Sequence, residues 1–321
     1  MRPHVPLAIY SALMVLALLR PDLSQTIATV AFYMALGQAV NIFVGLTGYV
    51  NFGYAAFLAM GAYGLGVVIA YMPSIGMWTL PVGLLLSVVL ASALALAIGA
   101  VALRLRSAYF AIATIGINEG LKNLIVGSNI WGGSAGLVLG SNMFQIYGRD
   151  AALFLSTVGS TVLILATGLA AVVGTYLLLS KESGYALAAI RQDEDAAKVL
   201  GINPTKYKLT AFVLSAVFSA LLGAAAFPLS ATQVFPDTVF NIGYILDGLA
   251  VAFLGGIGTV TGAIIGGLLY VPIRLVVGSF MPNYQSLITP LLVFFVVLLA
   301  PRGIVGELRR YVPHKVREWI P

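Results

Sequence analysis

Glu119 and Lys122 stand three residues apart in an otherwise apolar stretch, a spacing that puts both on one face of a helix. Asn118 and Asn123 add polarity beside them, and Asp247 and Arg274 each sit in a later apolar stretch. Ionisable groups in such surroundings are costly in lipid and are read first as functional. For Glu119 and Lys122 two readings stand: mutual neutralisation, or lining the path of a polar solute. Asp247 and Arg274 could pair with each other, which would be structural; Glu119 and Asp247 could instead carry protons. Bond-making chemistry has little to work with. Cysteine is absent, which excludes disulfides, thiolate metal sites and a Cys nucleophile. His4 and His314 lie near opposite ends of the chain, which argues against a metal site or His-based catalysis. No Gly-Lys dipeptide occurs, so there is no phosphate-binding P-loop. The expectation is a chain that is not an enzyme and holds no cofactor.

The elements that must position these residues follow from composition. The chain has 321 residues, 60% of them hydrophobic and 9% charged, where a soluble domain carries about 25% charge. Its mean hydropathy is +1.01. A bilayer accommodates such a chain as helices of about 20 apolar residues. Barrel strands would alternate apolar and polar, whereas Thr79 to Leu103 runs apolar without a break. The fold class expected is therefore all-α: a polytopic membrane protein of about ten transmembrane helices, one domain over residues 1–321. The spans expected are Val5–Leu19, Ile27–Gly45, Tyr54–Met72, Thr79–Leu103, Tyr109–Val126, Ala151–Ser180, Leu209–Ala231, Asn241–Leu254, Val260–Val277 and Leu287–Ala300. The first lacks a small-residue cleavage site after Leu19 and reads as an uncleaved span. The eighth is short enough to be broken or re-entrant. Of 17 basic residues, all but Arg20, Lys122, Arg149 and Arg274 fall on the side that holds both termini. Positive loops mark the cytoplasm, so both termini are expected there. The net charge of +6 is then a topological signal, and no nucleic-acid partner is expected.

Glycine punctuates the spans. Gly45 to Gly53 and Gly255 to Gly262 are Gly/Thr-rich interruptions, one in each half, as in transporters built from two related halves. Tight helix packing is the alternative reading. Asn51, Gly53, Glu119, Gly255 and Gly256 are the candidate path-lining residues. The segment 181–208 is the one large charged loop between spans. Its Ala, Leu, Arg, Gln and Glu residues predict a helix over about Ala186–Leu200, with Glu194 and Lys198 as an i,i+4 pair. Gly201 stands where a helix-ending glycine belongs, and Pro204 follows. An apolar side through Leu187, Ile190, Ala197 and Leu200 could lie on the membrane, or the helix could dock a soluble partner. A Gly/Ser/Asn-rich loop, 127–150, has room for another partner on the other side.

Asp195-Ala196-Ala197-x-x-x-Gly201 resembles the Glu-Ala-Ala-x-x-x-Gly loop of bacterial ABC importers, with Asp for Glu. The stretch from Ala189 to Ala216 is similar to branched-chain amino acid permeases. So are Gly48 to Phe57, Leu103 to Thr114, Leu254 to Gly262 and Pro301-Arg302-Gly303. The likeness covers about Gly45 to Gly306. It departs at Ala263, where the family often has Pro, and at Trp131-Gly132-Gly133, where Thr-Gly-Gly is usual. The resemblance implies a permease subunit of an ATP-driven importer in the bacterial cytoplasmic membrane. Its partners would be a second homologous permease subunit, two ATP-binding cassette subunits that bind the ATP, and an extracytoplasmic solute-binding protein. Ala189, Arg191, Asp193, Glu194, Asp195, Ala196, Ala197 and Gly201 would couple to the ATPase. The solute would be a branched-chain or other hydrophobic amino acid, or, as in related permeases, urea or a short amide. A proton-coupled secondary transporter, and a channel or scaffold, are the readings from other classes.

Overall fold

Apolar runs become helices because lipid offers the backbone no hydrogen bonds. The computed structural model describes residues 4–231, 233–285 and positions 288, 289, 291, 295, 298, 303, 304, 306 and 307. Its helices are α1 (His4–Leu19), α2 (Ser24–Val40), α3 (Tyr54–Tyr71), α4 (Thr79–Ala102) and α5 (Ser107–Gly127). After a two-residue strand β1 (Leu137–Val138) come α6 (Gly140–Tyr147), α7 (Arg149–Phe154), α8 (Ser160–Leu179), α9 (Glu182–Gln192) and α10 (Glu194–Val199). Then follow α11 (Pro204–Ala226), β2 (Gln233–Val234), α12 (Pro236–Val239), α13 (Gly243–Gly255) and α14 (Val260–Phe280). Among the described residues the only strands are the antiparallel pair β1–β2.

Seven helical stretches among the described residues are long and apolar enough to cross a membrane. They correspond to the second, third, fourth, sixth, seventh, eighth and ninth expected spans. The first, Val5–Leu19, is a shorter apolar helix. The fifth, α5, has full length at 21 residues, but Asn118, Glu119, Lys122 and Asn123 keep it outside the apolar set. The eighth, expected over Asn241–Leu254, forms one unbroken helix, α13; the break in the stretch Pro236–Gly255 lies before it, between the short α12 and α13. The tenth, Leu287–Ala300, lies mostly outside the described residues, as do residues 1–3 and 308–321.

Glycines set how closely the helices approach. At Gly61 an added Cβ would overlap the Ala220 carbonyl, and at Gly223 the Leu58 carbonyl, so α3 and α11 meet backbone to backbone. The Ser87 hydroxyl lies 2.8 Å from both Gly61 O and Gly83 O, joining α4 to α3. Without a hydrophobic drive between helices in lipid, such close contact is the main cohesive term. Gly61→Val is expected to lower the thermal midpoint of the detergent-solubilised protein, since overpacking costs about 1–3 kcal/mol. Gly116→Ala is the control: nothing lies within 4 Å of a Cβ there, so it should be neutral or stabilising.

Both interruptions lie at the charged end of the bundle, the end that carries α9 and α10. At the opposite end, loop 127–150 is ordered into a cap over α3. Asn142 donates to Ile69 O and Ala70 O at 3.1 and 2.9 Å. Trp131 stacks on Tyr63, with ring centroids 5.3 Å apart.

Candidate functional site at the charged end of the bundle

The final turn of α2 opens into a π-type turn, Asn41–Gly45. Such bulges recur at functional positions because they free backbone groups from the helical ladder. Asn41, 1% exposed, uses the freed space. Its Nδ2 donates to Thr259 O at 2.9 Å, and its Oδ1 accepts from Gly258 N at 2.7 Å. One side chain thus ties the first interruption to the second across 218 positions of sequence.

Two charged residues from the loop 181–208 reach the same place. Arg191 Nη1 donates to Gly45 O at 2.6 Å. A Cβ at Gly258 would occupy the position of that guanidinium, so the glycine is what admits it. Glu194 accepts from Tyr49 Oη at 2.5 Å and from Lys208 Nζ at 3.0 and 3.1 Å. Lys208 is 1% exposed; it also donates to Leu103 O at 3.3 Å and lies 4.2 Å from the centre of the Tyr49 ring. Partial burial pushes the Glu194 carboxyl up, but the Tyr49 and Lys208 hydrogen bonds and the charges of Lys208 and Lys198 outweigh it and leave the pKa lowered. Burial, and then the bond to Glu194, raise the Tyr49 phenol. The hydrogen bond and charge of Lys198 lower Asp195.

The expected helix over Ala186–Leu200 is two helices. Asp193 takes an extended conformation and its carboxylate accepts from Asp195 N and Ala196 N at 2.9 and 3.0 Å, capping α10 and ending α9. A short acidic side chain that satisfies free helix N–H groups competes with continuing the previous helix. Gly201 does end the helix, with φ +81. Gly201 N bonds Lys198 O at 3.0 Å and Ile202 N bonds Ala197 O at 3.1 Å, the Schellman pattern. The Glu194–Lys198 pair forms at 3.5 Å, with Asp195 closer to Lys198 at 3.0 Å. Leu187, Ile190 and Ala197 are buried, but Leu200 is 77% exposed, against the expected apolar side. Val199 and Tyr185 are exposed with it, at 87% and 82%. Asp195 and Ala196 are exposed, and Ala189 is half-buried.

The path candidates divide. Asn51 is fully buried, and its Oδ1 accepts from Gly53 N at 2.8 Å. Phe52 N donates to Thr114 Oγ1 at 3.0 Å, which brings this loop against α5, the helix of Glu119. Gly255 and Gly256 go elsewhere: a Cβ on Gly255 would overlap the Gly262 carbonyl, and Gly256 lies against Gly303. They serve close packing of α13 on α14. Lys122 does not form its ion pair with Glu119. It bonds Asp237 at 2.6 Å, because the first turn of α12 reaches it, and Glu119, exposed, accepts a 3.3 Å bond from Asn118. Asp247 and Arg274 do pair, at 2.6 Å, with Tyr270 and Tyr33 donating to the same carboxylate at 2.5 and 3.2 Å. Asp247 is thus held by donors from α2 and α14. Tyr49, Asn41 and Lys208 were missed as site residues; Tyr49 and Lys208 stood within the motifs of the resemblance, and Asn41, with Gln38, was signalled as an amide in an apolar run.

Residues 23–300 match the family described as branched-chain amino acid transport system, permease component. The chain is 31% identical to the high-affinity branched-chain amino acid transport system permease protein LivM of Salmonella typhimurium, over 93% of this chain and 74% of that one. It is 27% identical to LivH of the same organism, over 86% and 91%. To BraD of Pseudomonas aeruginosa it is 26% identical, over 86% and 92%. No solved structure matches.

Proposed function

This chain belongs to the branched-chain amino acid transport system permease family, and from that premise we propose how its charged end works. The protein is the multi-pass membrane permease subunit of an ABC importer for branched-chain amino acids. The charged end faces the cytosol, both termini with it, in the bacterial inner membrane. A second homologous permease completes the membrane unit, two ATP-binding cassette subunits supply and bind the ATP, and an extracytoplasmic binding protein delivers the solute to the ordered cap of loop 127–150. Asn51 and Gly53, in the loop that packs against Thr114 of α5, and Glu119, further along that helix, border the solute path.

The carrying observation is the division of labour in α9 and α10. The end of α10 presents Val199 and Leu200 to solvent, and Tyr185 is exposed near the start of α9, while Arg191 and Glu194 turn back onto Gly45 and Tyr49. Adjacent large apolar side chains left exposed at the end of α10 mark a protein interface. The same element therefore has a face for a partner and a face for the interruptions. A movement imposed by the ATPase on Val199 and Leu200 reaches α2 through Arg191 and reaches loop 46–53 through Glu194. Ala196 and Asp195, on the open side, meet the partner; Ala197 and Gly201 shape α10, and Asp193 fixes the break that lets α10 turn separately from α9.

Val199→Asp/Leu200→Asp tests this. Both positions are exposed, so the permease should fold and insert, while the ATPase should no longer co-purify and uptake should fall by about tenfold or more, since interface hot spots are worth at least ~2 kcal/mol. Uptake driven by a pH gradient without the hydrolase, or passive flux, would overturn the reading.

A further inference from the structure

Between α9 and the two interruptions lies a cavity of about 420 Å³ that the transport cycle described above does not use. Leu46, Leu179 and Leu187 form apolar walls, Arg191 and Gln192 supply polar groups, and Gly258 forms part of the floor. The volume is within the range of about 300–1,000 Å³ usual for small-ligand sites, which combine apolar walls with a few placed polar groups.

Arg191 is the telling residue. A guanidinium has five N–H donors, and here one bond is formed, to Gly45 O. Among the described residues no carboxylate lies within ion-pair distance of it; Glu194 is turned to Lys208 and Lys198, and Asp193 caps α10. A cation with spare, planar donors beside a cavity suits a carboxylate, which it can grip with two parallel bonds. The leucine walls suit an aliphatic side chain. The adjacent C-terminal end of α9, the negative end of its dipole, and the Gln192 amide suit an ammonium group.

We propose that this cavity binds a small α-amino acid with an aliphatic side chain from the cytosol, and that its occupancy slows the importer. The carboxylate competes with Gly45 O for Arg191, so the bound amino acid loosens the tie through which α9 acts on α2. The inference rests on the importer reading: product accumulating inside restrains further uptake, at a site separate from the path on α5.

The test uses the complete importer in vesicles with the charged end facing the lumen and ATP trapped inside. L-Leucine trapped with the ATP should lower initial uptake by about five- to tenfold, the lower range of site-to-site coupling. Leucinamide, which lacks the carboxylate, should have no effect. Leu179→Trp fills the cavity from a residue outside the coupling set; uptake into leucine-free vesicles should be retained and the inhibition lost. Should that variant fold poorly, radiolabelled leucine binding to the purified wild-type subunit in nanodiscs decides: binding competed by leucine and not by leucinamide supports the site. Equal inhibition by leucinamide, inhibition that survives Leu179→Trp, or no inhibition at all overturns it. So does inhibition that follows the anionic-lipid content of the vesicle, which would assign Arg191 to a lipid phosphate. Absence of uptake into leucine-free wild-type vesicles would instead count against the importer reading.

Discussion

Glu194→Ala is expected to destabilise the protein by about 3 kcal/mol, because removing one partner of a buried ion pair leaves the other charge uncompensated. The charge left behind is Lys208, 1% exposed in the wild type and held by Glu194, the Leu103 carbonyl and the Tyr49 ring. The figure sits at the low end of the usual range because the Glu194 side chain is itself 24% exposed. In a thermal scan of the detergent-solubilised protein the loss should appear as a midpoint lower by about 5 °C or more. Lys208→Met alone should cost less, since the carboxylate left behind keeps Tyr49 and Lys198 and part of its hydration. The double variant Glu194→Ala/Lys208→Met should recover most of the stability, as apolar replacement of a buried pair is often neutral. Transport should not recover, because Tyr49 would still have lost its tie to α10. Recovery of both together would show the network to be structural alone. The pH dependence has a definite sign. The folded-state pKa of Glu194 is lowered, so its stabilisation is present above the ordinary glutamate pKa and is lost as pH falls through the lowered value. Neutral-pH assays are therefore on the plateau.

Much of this architecture was legible because it depends on local rules. Continuous apolar runs specify helices in lipid, and Gly201 followed by Pro204 marked where α10 ends. Asp193 shows the limit. Within Arg191-Gln192-Asp193-Glu194-Asp195 every residue is compatible with a helical surface, and whether Asp193 continues α9 or caps α10 depends on its backbone angles, which composition does not encode. The inward turn of Arg191 and Glu194 was equally hidden. Charged residues on a loop helix read as solvent-facing, and their partners, Gly45, Tyr49 and Lys208, are brought together by tertiary packing across up to 146 positions of sequence. Glu119 and Lys122 illustrate the same point from the other direction: helical spacing put them on one face, but Asp237 arrived from a separate helix and took the lysine. The paired interruptions were visible as glycine-rich breaks. That they touch through Asn41 required knowing that one polar side chain in α2 spans the gap.

Gly258→Val should uncouple ATP hydrolysis from uptake, and the reason lies in what the glycine makes room for. Gly258 has φ +85, a conformation that costs a side-chain-bearing residue, and its missing Cβ is where the Arg191 guanidinium passes to reach Gly45 O. A valine there strains the loop and expels the guanidinium, so α9 loses its hold on α2 while the exposed tip at Val199 and Leu200 still meets the ATPase. Uptake should drop by about tenfold or more, within the range of site-to-site coupling, while hydrolysis in the reconstituted complex persists. Arg191→Ala should give the same phenotype without straining the loop. The two effects belong to one contact, so they should not add: Arg191→Ala/Gly258→Val should lose little more uptake than either single variant, as expected when two changes remove the same interaction. Independent sites would multiply their losses, to about a hundredfold for two tenfold effects. That outcome would separate the glycine from the arginine and leave Gly258 as a requirement of the loop alone. A matched loss of hydrolysis and uptake in Arg191→Ala would place the arginine in the ATPase contact instead of on the tie to α2.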